Sequence, residues 1–345
     1  MLSKSVAVPL LSFSLACAAL AGVGCEASSS NAQATKRAPS APVEMETPKL
    51  KPTAFDGDRA FAHVKRQVEF GPRPAGSEAI KKTREFLIGE LKSYGLKVST
   101  DAFVGKTPSP KFPSIPMENV IAELPGKTDD VLIVASHYDT KYFENIKFLG
   151  ANDGGSSTGA LLEIARVLSA MKPEEREIPQ TLWFVFFDGE EAVVEWSEDF
   201  DSTYGSRHMV SALKASGKAT KIKGMILLDM IGDADLVIPK EAQSTPWISE
   251  TLAETGRALG YEKNFPLSSH YISDDHIPFL KAGIPAADLI DFTYGTNAKT
   301  AGPGGETNAY WHSAEDTLDK ISPKSLKIVG DTVIRALPKI AAQAR

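Results

Sequence analysis

Cysteine is nearly missing from this 345-residue chain, which holds only Cys17 and Cys25. Cys17 falls in an apolar N-terminal stretch that reads as a leader, so a mature exported chain keeps Cys25 alone and has no intramolecular disulfide. A basic excess is missing too. Lys and Arg number 38 against 44 Asp and Glu, and no cluster of positive residues stands out, which argues against a nucleic-acid footprint. Long hydrophobic runs are absent: residues 8–23 form the longest, and it is short for a membrane span. There is no internal repeat. Gly302-Pro303-Gly304-Gly305 follows no strand and is not a phosphate loop. The remainder is a soluble globular composition, 42% hydrophobic with a net charge of −6, long enough for one large domain or two small ones.

Lys4 supplies a positive start to the leader, and Leu20-Ala21-Gly22-Val23-Gly24-Cys25 runs small residues into a cysteine. That pattern resembles a bacterial lipoprotein signal. Residues 1–24 are accordingly expected to be a signal peptide and Cys25 a lipid anchor, with ordinary signal cleavage as the alternative. Residues 25–53 are rich in Ser, Ala, Pro and Lys without an apolar period, the composition of a disordered tether. The expected location is exported, periplasmic or in the cell envelope, with residues 54–345 as the catalytic domain.

From Phe55 onward the pattern is that of a folded domain. Asp58 is placed to cap a helix carrying Phe61, Val64 and Val68, ending at Gly71-Pro72-Arg73-Pro74. His63 within it reads as a packing or surface histidine. A second helix over 77–94 puts Ile80, Phe86, Leu87, Leu91 and Tyr94 on one face, and short strands over 96–103 and 119–124 follow. Three runs, 131–135, 182–187 and 225–228, are apolar throughout and read as strands buried on both faces. Helical patterns occupy 157–171, 205–215, 247–259, 277–282 and 323–342. This alternation predicts the α/β class: a single three-layer αβα domain around a mixed, largely parallel sheet.

The second run ends in Asp188-Gly189-Glu190-Glu191. Three acids within four residues at the end of a buried strand repel one another and destabilise the fold unless a cation is present. An isolated Glu-Glu pair would read as a solvated turn, but the other runs end similarly, in Ser136-His137-Tyr138-Asp139 and in Asp229-Met230-Ile231-Gly232-Asp233. Asp153, in Gly150-Ala151-Asn152-Asp153-Gly154-Gly155, reads on its own as a turn former or helix cap. Carboxyl ends of parallel strands converge on one crevice, and imidazole with carboxylates but no cysteine suits zinc. The ordered set His137, Asp153, Glu190-Glu191, Asp229 and His312 therefore points to a catalytic metal site.

From about Phe70 to the C-terminus the sequence resembles the zinc aminopeptidase superfamily of the bacterial leucyl aminopeptidase type, and within it the animal-type glutaminyl-peptide cyclotransferases. Residues 136–143 (Ser-His-Tyr-Asp-Thr-Lys-Tyr-Phe) and 186–192 (Phe-Phe-Asp-Gly-Glu-Glu-Ala) carry the resemblance. So do Trp196-Ser197, residues 204–208, residues 274–280 and Trp311-His312. It implies a zinc aminopeptidase-like fold and one zinc per chain, held by Asp153, Glu191 and His312. Glu190 would be the general acid/base, Asp229 and Asp274 its hydrogen-bonding network, and Trp196 and Trp311 pocket walls. His137, with Asp229, matches a second-metal site of the aminopeptidases. The implied substrates are peptides or proteins with N-terminal glutamine, converted to pyroglutamate with loss of ammonia. The alternative is a two-zinc metallo-aminopeptidase releasing N-terminal residues. Asp275 and His276 are expected to bond the backbone of a tight turn, and Arg207 to pair with a carboxylate.

Overall fold

A computed structural model describes residues 50–295 and 308–344. The expected leader, the lipidation site at Cys25, most of the tether and the Gly302–Gly305 stretch lie outside the described residues. In chain order the elements are α1 (Gly57–Glu69), α2 (Glu78–Ser93), β1 (Lys97–Lys106), β2 (Ser114–Leu124), β3 (Thr128–His137), α3 (Gly155–Ala170) and the single turn α4 (Pro173–Arg176). Then come β4 (Gln180–Phe187), α5 (Tyr204–Ala215), β5 (Ile222–Asp229), β6 (Lys240–Glu241), α6 (Pro246–Ala258), β7 (Ser269–His270), α7 (His276–Lys281), β8 (Ala286–Ile290) and α8 (Pro323–Gln343).

The main sheet has the order β1-β2-β4-β3-β5-β8. β4, β3, β5 and β8 run parallel, while β1 and β2 form an antiparallel flank. The all-apolar runs are explained by which way successive residues point. Leu132 and Val134 of β3, Leu182, Phe184 and Phe186 of β4, and Ile226 and Leu228 of β5 enter one core with residues of α1, α2, α3, α6 and α8. Their neighbours Ile133, Ala135, Val185, Phe187, Met225 and Leu227 enter a second core with Met209, Val210 and Leu213 of α5 and Phe279 of α7. Each central strand is thus apolar on both faces because helices cover both faces, as the alternation predicts.

Two local readings are corrected. The cap of α1 is Asp56, whose carboxylate accepts the N–H groups of Asp58 and Arg59 at 3.0 and 3.1 Å. Asp58 instead lies in the first turn, where a negative charge complements the helix dipole. The buried face of α1 is accordingly Ala60, His63, Val64 and Gln67, with Phe61 and Val68 only partly covered. β8 was not anticipated. Its sequence, Ala-Ala-Asp-Leu-Ile, is short of β-branched residues and interrupted by an acid, yet it pairs with β5 from Met225↔Ala286 to Asp229↔Ile290 and is buried throughout.

Candidate active site

Side chains are delivered to one crevice by the carboxyl ends of the parallel strands: His137 ends β3, Asp229 ends β5, and Glu190 and Glu191 follow β4. Asp153 lies in the loop entering α3. His312, from the segment ahead of α8, sits with φ of 53°, and Met230, just after Asp229, with φ of 47°. Left-handed backbone at non-glycine residues is strain that the surrounding structure must hold in place, and it clusters at functional sites.

Two groups of metal-type donors result, each with its ligand atoms within 4.8 Å of one another: Asp153, Glu191 and His312, and His137, Asp153 and Asp229. Asp153 belongs to both. His312 Nε2 stands 3.2 Å from Glu191 and 3.4 Å from Asp153 Oδ2, and His137 Nε2 stands 3.1 Å from Asp229 and 3.3 Å from Asp153 Oδ1. Among the described residues Asp153 Oδ2 is buried and makes no hydrogen bond, with only the His312 ring facing it at 3.4 Å. A carboxylate oxygen left in that state costs free energy unless something electropositive faces it. The donor set of imidazole and carboxylate oxygens fits zinc.

The charges shape each other. Burial and the neighbouring Glu191 push Asp153 up to about 6. Burial also favours the neutral form of Glu191, but His312 and Lys141 outweigh it and hold this carboxyl at about 2. Burial raises Glu190 well above the ordinary carboxylate range, opposed by His137 and reinforced by Asp274. Asp274 is likewise raised, by burial, Asp229 and Asp275. Glu190, Asp274 and Asp229 therefore form a close acidic set. A residue without an assigned role, Asp139, fixes the Glu190-Glu191 backbone: one carboxylate accepts the N–H groups of both, at 3.1 and 3.3 Å. Its position two residues after His137 at a strand end was the available signal.

Asp153, Glu190, Glu191, Asp229, Asp274 and His312 line a cavity of about 440 Å³, walled by Trp196, Tyr271, Ile272, Phe292 and Trp311. The Trp311 ring stacks on His312 at 3.8 Å between centroids, and Phe292 meets its edge at 5.1 Å. Both expected wall tryptophans are therefore at the cavity. His276 and Asp275, expected to bond the backbone of a turn, bond other side chains instead. His276 Nε2 is 3.1 Å from buried Glu241, and Asp275 accepts the Ser206 hydroxyl. Among the described residues Arg207 pairs with no carboxylate. It donates to the carbonyls of Ser202 and Asp199, because its planar fork closes the turn entering α5.

Residues 119–337 match the model of peptidase family M28. The glutaminyl-peptide cyclotransferase-like protein of Mus musculus is 31% identical over 281 residues, covering 74% of this chain and 68% of the mouse protein. The crystal structure of an Acidobacteriales bacterium glutaminyl cyclase superposes with a TM-score of 0.76 at 37% identity, over 89% of this chain and 100% of that one. A Zn-dependent exopeptidase from Parabacteroides distasonis superposes with a TM-score of 0.70 at 28% identity, over 84% and 99% of the two chains. The chain belongs to peptidase family M28, in the branch that holds the glutaminyl-peptide cyclotransferases.

Proposed function

We propose that this chain converts N-terminal glutamine of peptides to pyroglutamate with release of ammonia, using one zinc held by Asp153, Glu191 and His312. The observation that carries the reading is a raised, buried Glu190 beside one of the donor groups, in a cavity walled by Trp196 and by Trp311 stacked on His312. Relatives named as glutaminyl cyclases support it.

In this reaction the substrate α-amine bonds to the carbonyl carbon of its own side-chain amide, the bond from that carbon to the amide nitrogen breaks, and ammonia leaves. Zinc, when bound, supplies a Lewis acid for the γ-carbonyl oxygen. Glu190 takes a proton from the attacking amine and returns it to the leaving nitrogen. Burial, reinforced by Asp274, raises its affinity for protons, which favours carrying one from the first nitrogen to the second. Asp139 fixes the backbone of Glu190, so the acid/base and the adjacent ligand Glu191 keep one geometry. Trp311, locked by Phe292 and His312, and Trp196 wall the space in which the flexible glutamine side chain would bend toward its own amine.

A second reading rests on the donor group His137, Asp153 and Asp229. With a second metal there, the site would suit an exopeptidase, whose metal grips the substrate amine that cyclisation needs free. The test offers purified protein a Gln-initiated and a Leu-initiated peptide and follows products by mass spectrometry, with metal content measured alongside. Loss of ammonia from the Gln peptide alone, with about one zinc per chain, is the expected result. Release of a free N-terminal residue with two zincs would replace the proposal by the exopeptidase.

A further inference from the structure

Asp153 sits in an awkward place for a ligand shared between two donor groups. Its loop, Gly150 to Gly155, contains three glycines, and glycine gives up the most conformational freedom on ordering. Gly150 and Gly154 use that freedom, with φ of 54° and 69°. A Cβ on Gly154 would lie 2.9 Å from His137 Cε1, and one on Gly150 would lie 2.6 Å from Thr140 Cγ2, so the loop is drawn tight against the end of β3. Glycine permits this shape but does not enforce it.

Two fully buried charged residues enforce it from opposite sides. Asp316 accepts the N–H of Asn152 at 2.8 Å on one carboxylate oxygen and the N–H of Asp153 at 3.1 Å on the other, and it also accepts the Tyr294 hydroxyl at 2.8 Å. Arg73 donates to the carbonyls of Tyr138, Leu149, Gly150 and Asp153 at 2.9, 2.6, 2.8 and 3.4 Å. The Asp153 residue is thus held at its N–H by a carboxylate and at its carbonyl by a guanidinium. Both side chains are 0% exposed. Among the described residues Arg73 makes no ion pair, so its whole fork is spent on backbone carbonyls. Burying a cation costs free energy, which these four carbonyl acceptors offset. Asp316 also follows His312 by four residues, in a segment closed by Ser313 donating to the Tyr310 carbonyl at 2.8 Å. The same carboxylate therefore ties the segment bearing His312 to the loop bearing Asp153.

We propose that Arg73 and Asp316 are positioning residues that set the spacing of Asp153 and His312 before any metal binds. The proposal rests on the assignment of those two residues as zinc ligands. Groups behind metal ligands typically change metal affinity by about 10- to 100-fold when lost. Asp316→Asn places an amide donor against a backbone N–H. Arg73→Lys keeps the charge but loses the fork.

The test measures zinc affinity of the full chain by competition with a chromophoric chelator, together with melting of the metal-free protein and kcat and KM at saturating zinc. Zinc affinity is expected to fall about 10- to 100-fold in Asp316→Asn and less in Arg73→Lys. Metal-free melting should fall in both variants, because each weakens bonds to a buried charge, while both stay folded at the assay temperature, and excess zinc should restore kcat with KM unchanged. Wild-type affinity in both variants, or a loss of affinity seen only at temperatures where the metal-free variant has begun to unfold, overturns the proposal. If either variant fails to fold, hydrogen exchange on metal-free wild type decides. The amides of Asn152 and Asp153 should be protected like those of β3, and open-loop exchange rates would refute the grip. A wild-type chain that binds no zinc would refute the ligand assignment instead, and hydrogen exchange would still read the grip.

Discussion

Glu190 and Glu191 are adjacent in sequence and opposite in character. Glu191 faces His312 and is held near 2, whereas Glu190, buried and facing Asp274 as well as His137, is raised well above the ordinary range. Opposite environments of this kind are what the proposed roles of ligand for Glu191 and proton carrier for Glu190 require. Glu190→Gln keeps size and shape while removing the titratable group. It is expected to lower kcat by roughly 10²- to 10⁴-fold, leaving KM and zinc content near wild type. Steady-state kinetics with metal analysis check this, and a variant retaining more than a tenth of wild-type kcat would remove Glu190 from the proton path.

The start of α7 is anchored by a different buried pair. Glu241, at the end of β6, accepts the Ser244 N–H at 2.7 Å and hydroxyl at 2.9 Å, the Gln243 N–H at 2.9 Å, and faces His276 Nε2 at 3.1 Å. Burial favours the neutral acid, but His276 and these donors outweigh it and hold the carboxyl at about 2. An unfolded glutamate titrates near 4.3. Because the folded value is the lower one, the stabilisation is complete above about pH 4.3 and disappears as pH falls toward 2. Glu241→Gln should therefore melt below wild type at pH 7, with the gap closing on acidification; thermal melts between pH 2 and 7 check this, and a pH-independent gap would refute it. Little of this was legible beforehand. The three central strands were, because burial on both faces leaves unbroken apolar runs, and so were the acids at their ends, which only a site explains. β8 was hidden because its burial depends on its neighbours and not on its own Ala-Ala-Asp-Leu-Ile. Arg73, between two prolines, and Asp316, in Glu-Asp, look like solvent-facing turn residues until the fold encloses both.

The donors that meet at the crevice are far apart along the chain, from His137 to His312, and come from the ends of three sheet strands and two loops. A metal there crosslinks elements that no local structure joins, and the unfolded chain cannot reproduce the site. Zinc should therefore stabilise the folded domain as a whole. Binding to the native state alone adds about 2.7 kcal/mol when free ligand is 100 times its dissociation constant. For a domain of 150–250 residues, each kcal/mol moves the melting temperature by about 2–4 °C, and the folded unit here is larger. Stripping zinc with a chelator is accordingly expected to lower the melting temperature by about 5 °C in one cooperative step. In His312→Ala the chelator should change little, since one of three ligands is already gone. His137→Ala separates the readings: with only the Asp153, Glu191 and His312 group loaded, the chelator effect survives this substitution, whereas two loaded groups would lose a large part of it. Calorimetry of the three proteins with and without chelator measures this, and a wild-type melt indifferent to chelator would mean that the native crevice does not hold the metal.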